Sequence, residues 1–81
     1  MDELEVRAWL VSYIADFSSL PEGDIQPDKD FADFGLDSVD SVIIGGALEE
    51  KFDIEVDASI FLRNDNIDQL IEDLRQLRFV K

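Results

Sequence analysis

The sequence contains no cysteine and no histidine, and seven basic residues stand against twenty acidic ones. Without cysteine, the chain can form no disulfide, no thiolate metal site and no cysteine nucleophile. Without histidine, it has no His-based catalytic triad, no imidazole metal ligand and no imidazole proton shuttle. Because these absences close most routes to autonomous catalysis, we expect the protein not to be an enzyme.

Long apolar runs are also absent. No run approaches the roughly 18 residues that a membrane span needs, and the start Met1-Asp2-Glu3 does not resemble a secretory signal. A net charge of −13 repels nucleic acid and anionic lipid, attracts basic protein surfaces and keeps proteins soluble. We therefore expect a cytoplasmic monomer that binds neither nucleic acid nor membranes.

The chain has 81 residues, of which 46% are apolar, and this suits one globular domain spanning residues 1–81. The acidity is uneven along that domain. Residues 22–57 hold twelve acids and two lysines, a net charge of −10, whereas residues 58–81 are neutral overall. This concentration of negative charge can serve solubility alone, or it can attract a partner protein with a basic surface.

Apolar spacing predicts an all-α fold, a small bundle of three main helices plus one short helix. We expect the first helix at residues 3–17, the second at 38–52, the short one at 58–62 and the last from residue 67. Each main helix has an apolar stripe at helical spacing. The stripe positions are Val6, Leu10, Tyr13, Ile14, Phe17, Ile44, Leu48, Phe52, Ile67, Leu70, Ile71, Leu74 and Leu77.

Residues 18–36 show no sustained period, so a long loop is expected between the first two main helices. Its isolated apolar residues, Ile25, Phe31 and Phe34, suggest that it lies packed across the helices. Two capping-box patterns flank the bundle, one pairing Asp2 with Glu5 and the other pairing Asn66 with Gln69. Asp37 is the expected N-cap of the second helix.

The segment 33–40 places Ser38 at the start of the second helix, directly after a glycine turn and an aspartate. A helix N-terminus favours negative charge, so a phosphate ester on Ser38 would be well placed. The simpler alternative is that Asp37 and Ser38 merely cap a helix. The bare pattern leaves both interpretations open.

The sequence Gly35-Leu36-Asp37-Ser38-Val39 resembles the Gly-x-Asp-Ser-hydrophobic signature of acyl carrier and peptidyl carrier proteins. Residues 31–35, 47–56 and 67–74 also resemble that family, so the likeness covers roughly residues 4–77. It implies an acyl-carrier-like fold and a 4′-phosphopantetheine group that a phosphopantetheinyl transferase moves from coenzyme A to Ser38. It also implies that Asp37 belongs to the recognition element around the serine.

The function implied by the resemblance is to carry an acyl or aminoacyl thioester and present it to biosynthetic enzymes. Val39 and Ile43 depart from residues common in fatty-acid carriers, which favours a polyketide-like or specialised acyl carrier. A peptidyl carrier, or an acidic helical interaction module without a prosthetic group, are the alternatives. Met1 at the start favours a free-standing protein over a synthase domain.

One side of the predicted second helix suits partner binding. At 100° per residue, three apolar side chains fall opposite the buried stripe and beside Ser38. Three acidic side chains would pair with basic docking patches on acyl-loading and acyl-transfer enzymes. The predicted partner-binding residues are Val39, Asp40, Val42, Ile43, Gly46, Glu49 and Glu50.

Two adjacent glycines interrupt the predicted second helix, where each costs about 1 kcal/mol relative to alanine. We interpret Gly45 as a site of close helix packing, because it lies near the buried stripe. At Gly46 the alternative is room for an acyl chain or for a close partner contact.

A calcium-binding loop is the main competing interpretation of a small acidic helical chain. Such a loop needs glycine at position 6 and glutamate at position 12. A loop starting at Asp28 places Asp33 at position 6, and one starting at Asp53 places Ala58 and Asn64 at positions 6 and 12. Both fail, so we expect no metal site.

Overall fold

Three α-helices form the protein in a computed structural model that describes residues 2–80. They are α1 (Glu3–Ser18), α2 (Ser38–Phe52) and α3 (Ile67–Gln76). Three 3₁₀ helices of one turn each lie at Glu22–Asp24, Phe31–Phe34 and Ala58–Ile60. No strand occurs between residues 2 and 80, and none of the helices there is long and apolar enough to cross a membrane. The all-α prediction is therefore confirmed, and the two 3₁₀ helices inside the long loop are additions to it.

The core forms where the apolar stripes of the three α-helices meet. The fully buried large side chains are Val6, Leu10, Ile14, Ile44, Leu48, Ile60, Ile67, Leu70, Ile71 and Leu74. The stripe prediction was wrong at its ends, where Phe17 and Leu77 are exposed and Tyr13 and Phe52 are only half-buried. Leu77 lies one residue beyond the end of α3, so the helical spacing no longer directs it inward.

The aromatic side chains of α1 form a row along the edge of the core. The Trp9 ring stacks on Tyr13 with centroids 5.0 Å apart and meets the edge of Phe52 at 5.7 Å. Phe17 continues the row, 6.3 Å from Tyr13. Stacking on Tyr13 gives the exposed Phe17 ring an aromatic partner at the surface.

Side-chain caps begin all three α-helices, but both of the expected capping boxes are incomplete. Asp2 Oδ1 accepts from the Leu4 N–H at 3.1 Å. Asn66 Oδ1 accepts from the Gln69 N–H at 2.8 Å, whereas Gln69 Oε1 accepts from the N–H of Asp65 instead of that of Asn66. The reciprocal pair is found at α2, where only a simple N-cap was predicted.

Backbone hydrogen bonds attach the long loop to the start of α3. The Phe31 N–H donates to the Asp65 carbonyl at 2.8 Å, and the Asp68 N–H donates to the Pro27 carbonyl at 3.0 Å. Ile25, Phe31 and Phe34 are buried, as their isolated apolar character predicted. These contacts therefore fix the position of the loop, and with it the point at which α2 begins.

Candidate functional site

Ser38 is the first residue of α2 and is exposed to solvent. Gly35 precedes it with φ of +79°, a left-handed conformation that glycine adopts without steric cost. Leu36 is buried between that turn and the helix, so it anchors the chain against the core. The turn and the anchor together place Ser38 at the surface where α2 begins.

The turn around Ser38 is held by two carboxylates. Asp37 Oδ1 accepts from the Asp40 N–H at 2.9 Å, and Asp40 Oδ2 accepts from the Asp37 N–H at 3.1 Å. This reciprocal arrangement satisfies two backbone donors at the helix start. The spacing of three residues between Asp37 and Asp40 is the sequence signal for this capping box. From the sequence, only Asp37 is identified as a cap.

Ser38 differs from the other serines of the chain in position. Ser41 is buried, and its hydroxyl donates to the Asp37 carbonyl at 3.1 Å. The Ser18 hydroxyl oxygen is enclosed at the end of α1, and Ser19 lies beyond that end. Within residues 2–80, Ser38 is the one serine that is the first residue of an α-helix.

The position of Ser38 suits a covalently attached anionic group. The first N–H groups of an α-helix have no acceptor within the helix, and the helix dipole places partial positive charge there. The capping pair occupies the N–H groups of Asp37 and Asp40, so those of Ser38 and Val39 remain directed toward the helix N-terminus. A phosphodiester on the exposed hydroxyl would meet favourable charge without displacing any core residue.

The residues predicted to bind partners lie along the exposed side of α2. Val39, Val42 and Ile43 are 66%, 47% and 47% exposed, although all three are apolar. Gly46 and Glu50 are exposed, whereas Asp40 and Glu49 are partly buried. One carboxylate oxygen of Asp40 is occupied by the helix cap. The structure brings the seven residues onto one helix, and their role in partner binding stays a prediction.

A cleft of about 210 Å³ opens beside Ser38, and it was not predicted. Its lining includes the apolar side chains of Phe31, Leu36 and Phe61. Phe61 is only 3% exposed, and its ring lies 5.9 Å from that of Phe31. The only sequence signal is the apolar run at residues 60–62, at the end of the short helix expected at 58–62. The observed 3₁₀ helix, Ala58–Ile60, ends before Phe61, so helical spacing gives no direction for that side chain.

Two carboxylates, one at the start of the third 3₁₀ helix and one in α3, have pKa values below the ordinary value for aspartate. Hydrogen bonds from Arg63 and then from Asn64 lower the pKa of Asp73. The Arg63 Nε–Asp73 Oδ2 distance is 2.6 Å, and the same bond raises the pKa of Arg63. Hydrogen bonds from Ser59, first from its backbone, lower the pKa of Asp57. These contacts hold the segment between the third 3₁₀ helix and α3 in place.

The acidic residues do not gather into a metal site. Over the described part of the chain, residues 2–80, no three Asp or Glu side chains are grouped so that they could hold a metal ion. The acids are spread along the surface, and their combined effect is a negative field.

The family described as the phosphopantetheine attachment site matches residues 8–74, which is most of the chain. The chain belongs to this family. Proteins of the phosphopantetheine family carry a covalently attached 4′-phosphopantetheine group and act as carriers, not as catalysts. This assignment decides against an acidic interaction module without a prosthetic group.

Several curated proteins are similar to this carrier. An acyl carrier protein of Prochlorococcus marinus is 37% identical over 57 residues, which are 69% of this chain and 71% of that protein. Polyketide synthase 1 of Metarhizium acridum is 36% identical over 52 residues, and the conidial yellow pigment biosynthesis polyketide synthase of Emericella nidulans is 32% identical over 62 residues. These matches cover 64% and 76% of this chain but only 2% and 3% of the two synthases.

Carrier proteins of this family interact with transferases and with synthase enzymes. Both kinds of enzyme must reach the prosthetic group and the surface beside it. An exposed serine next to an exposed apolar helix side meets this requirement.

Proposed function

We propose that this protein is an acyl carrier whose 4′-phosphopantetheine group is attached to Ser38. The observation that carries the proposal is the placement of Ser38 as the exposed first residue of α2, behind a left-handed glycine turn. The serine also stands in the Gly-x-Asp-Ser signature on which the resemblance to carrier proteins rests. We treat residues 1–81 as one carrier domain.

Attachment requires a separate phosphopantetheinyl transferase. A bond forms between Ser38 Oγ and the β-phosphorus of coenzyme A, and the bond from that phosphorus to adenosine 3′,5′-bisphosphate breaks. The hydroxyl proton passes to a base that the transferase supplies. The attached group supplies a terminal thiol for thioester formation, which is why the chain needs no cysteine.

The residues of this chain position the hydroxyl and the surface around it. Asp37 and Asp40 hold the first turn of α2, so Ser38 is presented in one backbone conformation. Val39, Val42 and Ile43 form an apolar docking surface on the same helix. Negative charge on the same helix comes from Asp40, Glu49 and Glu50. It would raise the rate of association with basic patches on partner enzymes.

The cargo that we propose is an acyl group. The similar proteins include an acyl carrier protein and polyketide synthases, and their names support an acyl cargo over an aminoacyl or peptidyl one. The monomeric state and the cytoplasmic location stay predictions from the sequence.

The test is intact-mass measurement after incubation with coenzyme A and a phosphopantetheinyl transferase. Wild type should gain the mass of one phosphopantetheinyl group, and Ser38→Ala should gain none. Ser41→Ala is the matched control, because it removes a hydroxyl from the same helix and should still be modified. A mass gain on Ser38→Ala, or none on folded wild type, would defeat the assignment.

A further inference from the structure

The aromatic row of α1, formed by Trp9, Tyr13 and Phe17, reaches the surface of the protein. The three residues follow one another at intervals of four, and side chains at that spacing are neighbours on a helix. Phe17 is 38% exposed, whereas Trp9 and Tyr13 are half-buried. The planes of the Tyr13 and Phe17 rings differ by only 22°. Along one side of α1, a row of stacked rings is therefore partly open to solvent.

Two exposed carboxylates lie beside the aromatic row. Glu5 precedes Trp9 by four residues on the same helix, so the two side chains are neighbours. Asp16 lines a shallow, open groove of about 270 Å³ together with Tyr13 and Phe17. Within residues 2–80, neither carboxylate forms an ion pair or a hydrogen bond with another side chain. The aromatic row is thus flanked by negative charge that the domain itself does not neutralise.

The charges on the other side of α1 are already paired. Arg7, the only basic residue of α1, forms ion pairs with Glu3 and with Asp68 of α3. Arg75 of α3 also pairs with Glu3. No basic side chain of α1 is therefore left for the two carboxylates beside the aromatic row.

A guanidinium group suits both parts of this surface. It stacks on aromatic faces and pairs with a carboxylate through two parallel hydrogen bonds, whereas an ammonium group pairs with the carboxylate as a point charge. A second copy of this chain is a poor occupant, because two domains of net charge −13 repel each other. The groove is too open to enclose a small molecule, but the row extends over about 12 Å of helix, which suits a protein segment.

We propose that the aromatic row, together with Glu5 and Asp16, is a docking surface for an arginine-bearing segment of a partner protein. The surface uses no residue of the proposed attachment site and none of the apolar docking surface on α2. The inference is therefore independent of the proposed function, and it gives the domain a second face for partners.

The experiment uses the fluorescence of Trp9, the only tryptophan of the chain, as its reporter. The probe is a peptide with blocked ends in which three arginines are separated by alanines, and it is compared with the same peptide carrying lysines. Both are titrated at physiological ionic strength. The arginine peptide should change the fluorescence saturably and bind about two- to five-fold more tightly than the lysine peptide, because guanidinium stacks better on the rings.

Phe17→Ala should abolish the preference for the arginine peptide. Leu4→Ala is the matched control, since Leu4 is 71% exposed on the same helix but lies about 140° around the helix axis from Trp9. Asp16→Asn should weaken the binding of both peptides. Asp33→Asn removes the same charge from an exposed position in the second 3₁₀ helix and should weaken neither.

Thermal melts verify that each variant is folded, and Phe17→Leu replaces Phe17→Ala if the latter does not fold. The proposal is overturned if the arginine peptide leaves the Trp9 fluorescence unchanged, or if Phe17→Ala and Leu4→Ala prefer it equally. A wild-type dimer in sedimentation that Phe17→Ala dissociates would assign the row to a second copy and would also overturn the proposal. Because neither peptide requires the prosthetic group, failure of Ser38 to load would refute only the proposed function.

Discussion

Asp37 and Asp40 each accept a hydrogen bond from the backbone N–H of the other, across the first turn of α2. Ser38 and Val39 lie between them, so the pair determines the backbone conformation of the proposed attachment site. Two carboxylates at a helix N-terminus also interact favourably with the helix dipole. The same acids therefore stabilise the helix and fix the first turn in which the serine lies.

Asp37→Ala should destabilise the domain by about 1 kcal/mol, because it removes the N-cap acceptor of α2. Asp37→Asn should cost less, since an amide oxygen can still accept from the Asp40 N–H. Urea unfolding measures the free energy of unfolding of both variants. Asp33→Ala, an exposed acid one turn earlier, is the control and should stay within about 0.5 kcal/mol of wild type. Equal effects of Asp33→Ala and Asp37→Ala would contradict the capping role.

Gly46→Ala should stabilise the domain by up to about 1 kcal/mol, because alanine is the better helix former and the added Cβ meets open space. Gly45→Ala gains the same helix propensity but forces the Phe61 ring to move. Its free energy of unfolding should therefore be lower than that of Gly46→Ala. The two variants are matched controls for each other in thermal melts, and equal stabilities would argue against tight packing at Gly45.

Ile43→Asp should leave the domain folded and slow acyl transfer from it, because it places a charge in the proposed apolar docking surface. Leu77→Asp is the matched control, with 46% exposure against 47% for Ile43 but a position beyond α3. Transfer kinetics with a cognate enzyme, beside a melt of each variant, measure the effect. Unfolding by Ile43→Asp would place Ile43 in the core, and normal transfer would remove it from the interface.

Asp73→Asn should reduce stability most at neutral pH. The Arg63 hydrogen bond lowers the folded-state pKa of Asp73 below its ordinary value of 3.8. A lowered pKa contributes stability that is fully present above the ordinary value and is lost as the pH falls through the lowered one. The difference in free energy of unfolding between Asp73→Asn and wild type should therefore become smaller below about pH 4. Urea unfolding at pH 7, 4 and 2.5 measures it.

The control for Asp73→Asn is Asp24→Asn, which removes the same charge from an exposed position in the first 3₁₀ helix. It reports the general effect of lowering the net negative charge. The contrary result is that Asp73→Asn lowers the free energy of unfolding by as much at pH 2.5 as at pH 7. That result would show that the ion pair between Asp73 and Arg63 does not stabilise the fold.

Local sequence patterns determined the helices and the candidate site. An apolar residue at every fourth position from Ile44 to Phe52, together with the Asp37 cap, predicts α2 at its observed bounds, because burial of one helix face depends on spacing along the chain. Asp37 was expected to cap that helix for an equally local reason, since a carboxylate can reach N–H groups two or three residues on. The position of Ser38 at the helix start follows from the same cap.

The tertiary structure alone decided which side chains line the cleft. Phe61 lies just beyond the observed 3₁₀ helix, Ala58–Ile60, and its contacts with Gly45 and Phe31 join residues that are distant in sequence. Phe17 was expected to lie in the apolar stripe of α1, but its side chain is exposed beside Tyr13 while Ile14 and Ala15 of the same turn are buried. The spacing of residues along the sequence determines which side chains share a helix face. Where the core ends, and which aromatic rings pack into it, depends on how all the helices and loops pack together.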